Sequence, residues 1–195
     1  KATAEDCAGR VAGAQAEIDF CRQHRATVSL LLEAHERGEL PLRITHNDTK
    51  IDNVLFDRDS GEVVCIVDLD TVMPGLVHYD FGDMMRTLTS PADEDERDLV
   101  KVTMRMDYFE ALAKGYLAEA GGFLTRAERD HLAISGKVIT LILGIRFLTD
   151  HLNGDTYFRV HREGQNLDRA RVQFRLVESM LKQEEAMKSV ITALG

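Results

Sequence analysis

Two short β-prone runs, Asn53-Val54-Leu55-Phe56 and Glu62-Val63-Val64-Cys65-Ile66-Val67-Asp68, flank the turn sequence Asp57-Arg58-Asp59-Ser60-Gly61. Apolar runs joined by a Gly-containing turn read as a β-hairpin. The second run is apolar at successive positions, which predicts burial on both faces. On either side of this hairpin the apolar residues recur at helical spacing. Before it stand Val11, Ala14, Ile18 and Cys21, then Val28, Leu31, Leu32 and His35, with a break near Ala26–Thr27 and an end at Gly38 and Pro41. Leu40–Thr45 suits a strand or an extended approach to a loop. One small hairpin in helical surroundings predicts a mainly α domain of α+β class and argues against a strand-rich or alternating α/β fold.

After the hairpin, Pro74 and Gly75 mark a loop, and Asp80 is placed to cap a helix from Phe81 to about Leu88, or to tether a neighbouring loop. Ser90-Pro91 with Asp93 restarts a helix that runs through Leu99, Val102, Met106, Phe109, Leu112, Ala113 and Leu117, and Gly121-Gly122 stops it. Thr125-x-x-Glu128 is a capping box for a helix with Leu132, Ile139, Ile142 and Phe147. Asn153-Gly154-Asp155 is a turn, and Asn166 or Asp168 opens a last amphipathic helix.

The 195 residues suit a single domain able to bury about 70% of its unfolded surface without disulfide or metal staples. Asp+Glu number 33 against Lys+Arg 24, a net charge of −9, which argues against a general nucleic-acid surface. Cys7, Cys21 and Cys65 lack CxxC spacing and read as buried free thiols in a reducing cytoplasm. The longest apolar candidate for a membrane span, Val138–Leu143, is broken by Thr140 and ends at Gly144, so no membrane partner is expected. The chain starts at Lys1, within helical-looking sequence, and is expected to be part of something longer.

The chemistry gathers at the edges of the hairpin. His46-Asn47-Asp48-Thr49-Lys50-Ile51-Asp52-Asn53 has the form H-x-D-x-K-x-x-N, and Asp68 closes the far end. A hairpin returns the chain to its starting edge, so Asp48, Asn53 and Asp68 are predicted to lie close together. Phosphoryl transfer from a nucleoside triphosphate uses such a set, because its catalysis is mainly positioning and electrostatics. Asp48 suits the base that orients the attacking hydroxyl. Asn53 and Asp68 suit hard-oxygen ligation of Mg²⁺. Lys50 suits the moving phosphoryl group, or else is a solvated surface lysine. His46 reads as structural, bracing the loop, and Asp70 as lining the site or capping it.

H-x-D-x-x-x-x-N followed by a hairpin and an Asp resembles the catalytic core of the protein-kinase-like superfamily. Ile66-Val67-Asp68-Leu69-Asp70 resembles its aminoglycoside phosphotransferase and choline kinase-like branch. The longer set Asp68–Gly75, Tyr79-Asp80-Phe81-Gly82-Asp83, Gly144–Asp150, Leu152–Phe158 and Asn166–Arg171 is similar to the N-acetylhexosamine 1-kinases, over about residues 40 to 180. The resemblance implies the C-terminal lobe of a protein-kinase-like fold. It implies Mg²⁺ and ATP as cofactors, Asp48 as base, Asn53 and Asp68 as metal ligands, and a sugar phosphorylated at its anomeric hydroxyl. It also implies that Arg146 and Tyr157 contact the sugar. Without it, Arg146 reads as an ion pair with Asp150 and Tyr157 as a core aromatic. Asp80-Phe81-Gly82 spells the protein-kinase metal motif, but it opens a helix, and Asp68 is the better ligand.

A kinase also needs a Gly-rich loop and a strand lysine, and neither precedes His46. The N-terminal nucleotide lobe is therefore expected to lie outside this chain, leaving the segment alone inactive and without tight ATP binding. The alternatives are a degenerate lobe acting as a binding module, or a kinase for an aminoglycoside or choline-like alcohol. A protein kinase is disfavoured by the short gap between Asp68 and Asp80, and a glycosyltransferase by the helical periodicity.

Overall fold

A computed structural model describes residues 1–195. Eight α-helices run over Ala2–Glu5 (α1), Gln15–Gln23 (α2), Arg25–Glu36 (α3), Val77–Leu88 (α4), Met106–Ala120 (α5), Arg126–Leu152 (α6), Gln165–Lys182 (α7) and Glu184–Leu194 (α8). Four short strands, Arg43–Thr45 (β1), Val54–Phe56 (β2), Val63–Ile66 (β3) and Met73–Gly75 (β4), lie between α3 and α4. They form two antiparallel pairs, β2 with β3 and β1 with β4. The expected hairpin is the first pair, with Val54 opposite Ile66. The second pair, with Thr45 opposite Met73, forms where the sequence predicts a loop around Pro74. A three-residue strand carries too little periodicity to be visible in sequence.

α6 is the axis of the domain and packs against α3, α4, α7 and α8. Its N-terminus carries the full capping box: Thr125 Oγ1 accepts the Glu128 N–H, and Glu128 accepts the Thr125 N–H. Glu128 also takes a two-pronged ion pair from Arg43, at 2.7 and 2.9 Å, tying β1 to the helix. By length and composition α6 is apolar enough to cross a membrane, a longer candidate than the Val138–Leu143 run suggests. Its apolar residues are spent inside the domain instead: Leu132, Ala133, Val138, Leu141, Phe147 and Leu148 are all buried.

One core sector joins Phe81 and Met85 of α4, Phe109 of α5, Leu132 of α6, Met180 of α7 and Met187 of α8. A second joins Ile18 of α2 to Leu141, Phe147 and Phe174, and a third joins Leu31, Leu40, Leu76 and Val138. Two glycines set the helix spacing. A Cβ on Gly82 would stand 2.7 Å from the Ser135 carbonyl oxygen, and one on Gly144 would stand 2.5 Å from the Phe174 ring.

Four expectations are corrected. α4 starts at Val77, so Asp80 lies inside its first turn and is not its cap. No helix restarts at Ser90: residues 90–105 are irregular apart from a 3₁₀ turn at Leu99–Lys101, and α5 begins only at Met106. The end of the segment is pinned by the Met104 N–H donating to Ser179 Oγ and by the Arg105 N–H donating to the Thr89 carbonyl. β3 is exposed along its whole length, not buried on two faces. Cys7 and Cys65 are exposed, and only Cys21 is partly covered, its thiol pushed up to about 11 by burial.

Candidate active site

The loop from His46 to Lys50 is built on three anchors. Asn47 occupies the left-handed region at φ 64°, which an asparagine tolerates better than most residues and which turns the chain away from β1. The Asn47 side chain donates to the Thr71 carbonyl at 2.9 Å, joining this turn to the 3₁₀ turn Leu69–Thr71. Asp80 of α4 accepts both the His46 N–H, at 2.9 Å, and the Asn47 N–H, at 2.7 Å. Thr49 Oγ1 donates to the Asp80 carbonyl. Asp80 is thus the tether of the loop. His46 braces it from the other side: Nδ1 accepts the Asp48 N–H and Nε2 donates to the Val67 carbonyl, which fixes the proton on Nε2.

This scaffold presents Asp48. Its Oδ2 accepts from Lys50 Nζ at 2.8 Å and from Asn53 Nδ2 at 2.9 Å. Partial burial works to raise the Asp48 carboxyl, but the hydrogen bonds from Lys50 and Asn53 outweigh it and hold the group below the usual carboxylate range. The Asp48 carboxylate in turn raises Lys50, with the charges of Asp68 and Asp52 adding to the effect. Asp48 is therefore anionic at neutral pH, as a proton acceptor must be.

The hairpin brings the remaining pieces to the same edge. Asn53 is buried, and its carbonyl accepts the Val67 N–H at 2.9 Å, next to Asp68. Its Nδ2 is committed to the carbonyl and side chain of Asp48, leaving Oδ1 as its other polar end. Asp68 is exposed, in the left-handed region at φ 62°. No three His, Cys, Asp or Glu side chains form a metal cage in the chain. Two protein oxygens, with phosphate and water completing the shell, nonetheless suit Mg²⁺, so Asn53 and Asp68 fit that ion.

A cleft of about 320 Å³ opens beside Asp48 and is lined by Asn47, Tyr79, Asp83, Arg86, Ile142 and Arg146, among others. Arg146, 98 positions along the sequence from Asp48, also lines a second hollow of about 380 Å³ with Tyr157 and Phe158. The Arg146 guanidinium sits 5.6 Å from the Tyr157 ring and 5.3 Å from the Phe158 ring, and Nη2 donates to the Tyr157 hydroxyl at 3.3 Å. Neither of the purely structural readings of these residues is realised. Arg146 makes no ion pair with Asp150, whose carboxylate is taken up by backbone N–H groups. Tyr157 is 73% exposed, not a core aromatic. Asp70 is exposed in the 3₁₀ turn and lines neither hollow.

Sequence reading missed Asn47, Asp83 and Arg86. Asp83 Oδ1 takes Arg86 Nε and Nη2 at 2.9 and 2.7 Å, forming a neutral wall of the cleft. The i,i+3 spacing of Asp83 and Arg86 on one helix was the available signal.

Fold and loop together define the C-terminal lobe of a kinase-like phosphotransferase. The phosphotransferase enzyme family model matches residues 2–132, two thirds of the chain, and the chain belongs to that family. The match spans Asp48, Asn53, Asp68 and Asp80, and ends before Arg146 and Tyr157.

Proposed function

We propose that this chain is the catalytic lobe of an ATP-dependent, Mg²⁺-dependent small-molecule kinase that phosphorylates a sugar, at the anomeric hydroxyl of an N-acetylhexosamine. The observation that carries the reading is the Asp48 carboxylate, kept ionised by Lys50 and Asn53 at the mouth of a cleft that extends to Arg146.

In this reading the acceptor sugar lies in the cleft with its reacting hydroxyl on Asp48. The carboxylate orients the hydroxyl and accepts its proton as the oxygen forms a bond to the γ-phosphorus of ATP. The bond from that phosphorus to the β,γ-bridging oxygen breaks, and ADP leaves. Lys50, released from Asp48 by the incoming phosphate, meets the charge of the transferred oxygens. Asn53 and Asp68 would hold Mg²⁺, which would supply charge neutralisation at the phosphates. Arg146 and Tyr157 form the far wall that holds the sugar.

The nucleotide-binding half belongs to a lobe preceding this one. That lobe also accounts for the exposed apolar hairpin, where Phe56, Val63, Val64 and Ile66 are each about half exposed or more. Exposed apolar area on this scale is characteristic of an interface. A cytoplasmic setting suits the three free thiols.

The test is a substrate panel on the full-length protein with Mg·ATP. Sugar 1-phosphate and ADP from an N-acetylhexosamine support the reading. Turnover confined to an aminoglycoside or a choline-like alcohol, or no turnover on any acceptor, overturns the sugar assignment.

A further inference from the structure

The last turn of α6 places a carboxylate where the helix dipole disfavours one. Asp150 is 4% exposed there and has no cationic partner. Such a group is stable only if its oxygens are fully used by donors. Oδ1 accepts the N–H groups of Thr156 and Tyr157, at 2.9 and 2.8 Å. Oδ2 accepts the Phe158 N–H and the Asn166 Nδ2, both at 2.9 Å. Three consecutive peptide N–H groups thus close on one side chain.

A second layer fixes this arrangement. Asn166, fully buried, gives its other amide hydrogen to Asp155 Oδ1 at 2.9 Å. Asp155, in the left-handed region at φ 59°, accepts from Arg10 Nη1 through Oδ2, and Arg10 also donates to the His151 carbonyl at 2.9 Å. The first residues of the chain are in this way connected to the wall of the cleft.

What the clamp holds is the segment bearing Tyr157. Phe158 is packed on Phe147, with ring centroids 4.6 Å apart, and Tyr157 stands edge-on to Phe158 at 4.8 Å. Tyr157 itself is mostly exposed, so its own side chain contributes little to ordering its backbone. The Arg146 guanidinium is then held over both rings.

We propose that Asp150 is a positioning residue of the acceptor site, setting Tyr157 and through it Arg146 by capturing the N–H groups of residues 156–158. The proposal rests on the reading of Arg146 and Tyr157 as the sugar-holding wall. It requires no contact between Asp150 and the substrate.

The experiment uses the full-length enzyme and separates acceptor from nucleotide kinetics. Asp150→Asn sets an amide NH₂ against N–H donors. It is expected to raise the acceptor KM about 10–100-fold, as a misplacement of about an ångström does, and to leave the ATP KM within about twofold. In an Arg146→Ala/Tyr157→Phe background the same change should add less than about twofold, because coupled residues are not additive. Arg10→Ala, which keeps Asp150 in place, should move the acceptor KM the same way by a smaller factor and serves if Asp150→Asn fails to fold. An unchanged acceptor KM in Asp150→Asn, an equal rise in both KM values, or full additivity in the double-variant background overturns the positioning role. If Arg146→Ala itself leaves the acceptor KM unchanged, the acceptor-wall reading is what fails. If Arg146→Ala raises it and Asp150→Asn does not, only the positioning role fails.

Discussion

Asp80 Oδ1 accepts the Asn47 backbone N–H at 2.7 Å, and its other oxygen accepts the N–H of His46. One carboxylate on α4 thereby fixes two successive peptides of the loop that presents Asp48. The loop is not rigid by its own sequence, and its precision is borrowed from a helix packed in the core through Phe81 and Met85.

Asp80→Ala removes both acceptors and leaves the two N–H groups unpaired. Each such loss costs about 1–3 kcal/mol. Turnover is expected to fall about 100-fold through misplacement of Asp48, with a lowered melting temperature. Asp80→Asn, which retains one acceptor, should lie between. Steady-state kinetics beside thermal melts check both effects.

Lys50→Met addresses the ionisation of Asp48. The base form is required for turnover, so activity is lost as pH falls through the Asp48 pKa. Lys50 supplies the larger of the hydrogen bonds that depress it, against the raising effect of burial. With Lys50 gone, the acid limb of the kcat/KM profile should move to higher pH. A limb that stays in place would assign the lowering to Asn53 or to another group.

His78 links stability to pH. Burial lowers it from 6.5 to about 4; its Nε2 donates to the Glu128 carbonyl and Nδ1 has no partner. Between about pH 6.5 and 4 the unfolded chain binds a proton that the folded chain refuses, so stability falls as pH drops through that window. The full effect is of order 3 kcal/mol. His78→Gln retains a donor toward Glu128 and cannot titrate, so its denaturation midpoint should decline less than the native one between pH 7 and 5.

Gly82→Ala tests the close approach of α4 to α6. The added Cβ meets backbone at Ser135 as well as the Ile139 side chain, and backbone does not yield as a flexible side chain does. Overpacking of this kind costs about 1–3 kcal/mol. Urea denaturation should show the loss, whereas Gly115→Ala on α5, with nothing near its Cβ, should be neutral or stabilising.

The sequence and the structure agree where local chemistry decides. The hairpin follows from Asp57-Arg58-Asp59-Ser60-Gly61, and the start of α6 from Thr125 and Glu128. Asp48 and Asn53 meet within the loop itself, five residues apart, and the hairpin turn returns the chain so that the Val67 N–H meets the Asn53 carbonyl. Disagreement arises where tertiary partners decide. Residues 90–105 carry a helical pattern, but at their end Ser179 and Thr89 capture the N–H groups of Met104 and Arg105. The apolar pattern of β3 reports that the strand is adhesive, not that this lobe covers it. Asp80 reads as a cap because a carboxylate before an apolar run usually is one, and only the fold reveals the N–H groups of His46 and Asn47 above it. The contact between Arg146 and Tyr157 was not legible, because it depends on how Asp150 folds the following loop.

The central claim is that Asp48 is the base of a phosphoryl transfer, and Asp48→Asn in the full-length protein tests it most directly. With Mg·ATP and an N-acetylhexosamine, kcat should fall about 10²–10⁴-fold, while ATP affinity stays within about twofold, because the uncharged amide keeps the shape of the site. Activity remaining within about threefold of the native enzyme would contradict it, since removal of a working base costs far more than that.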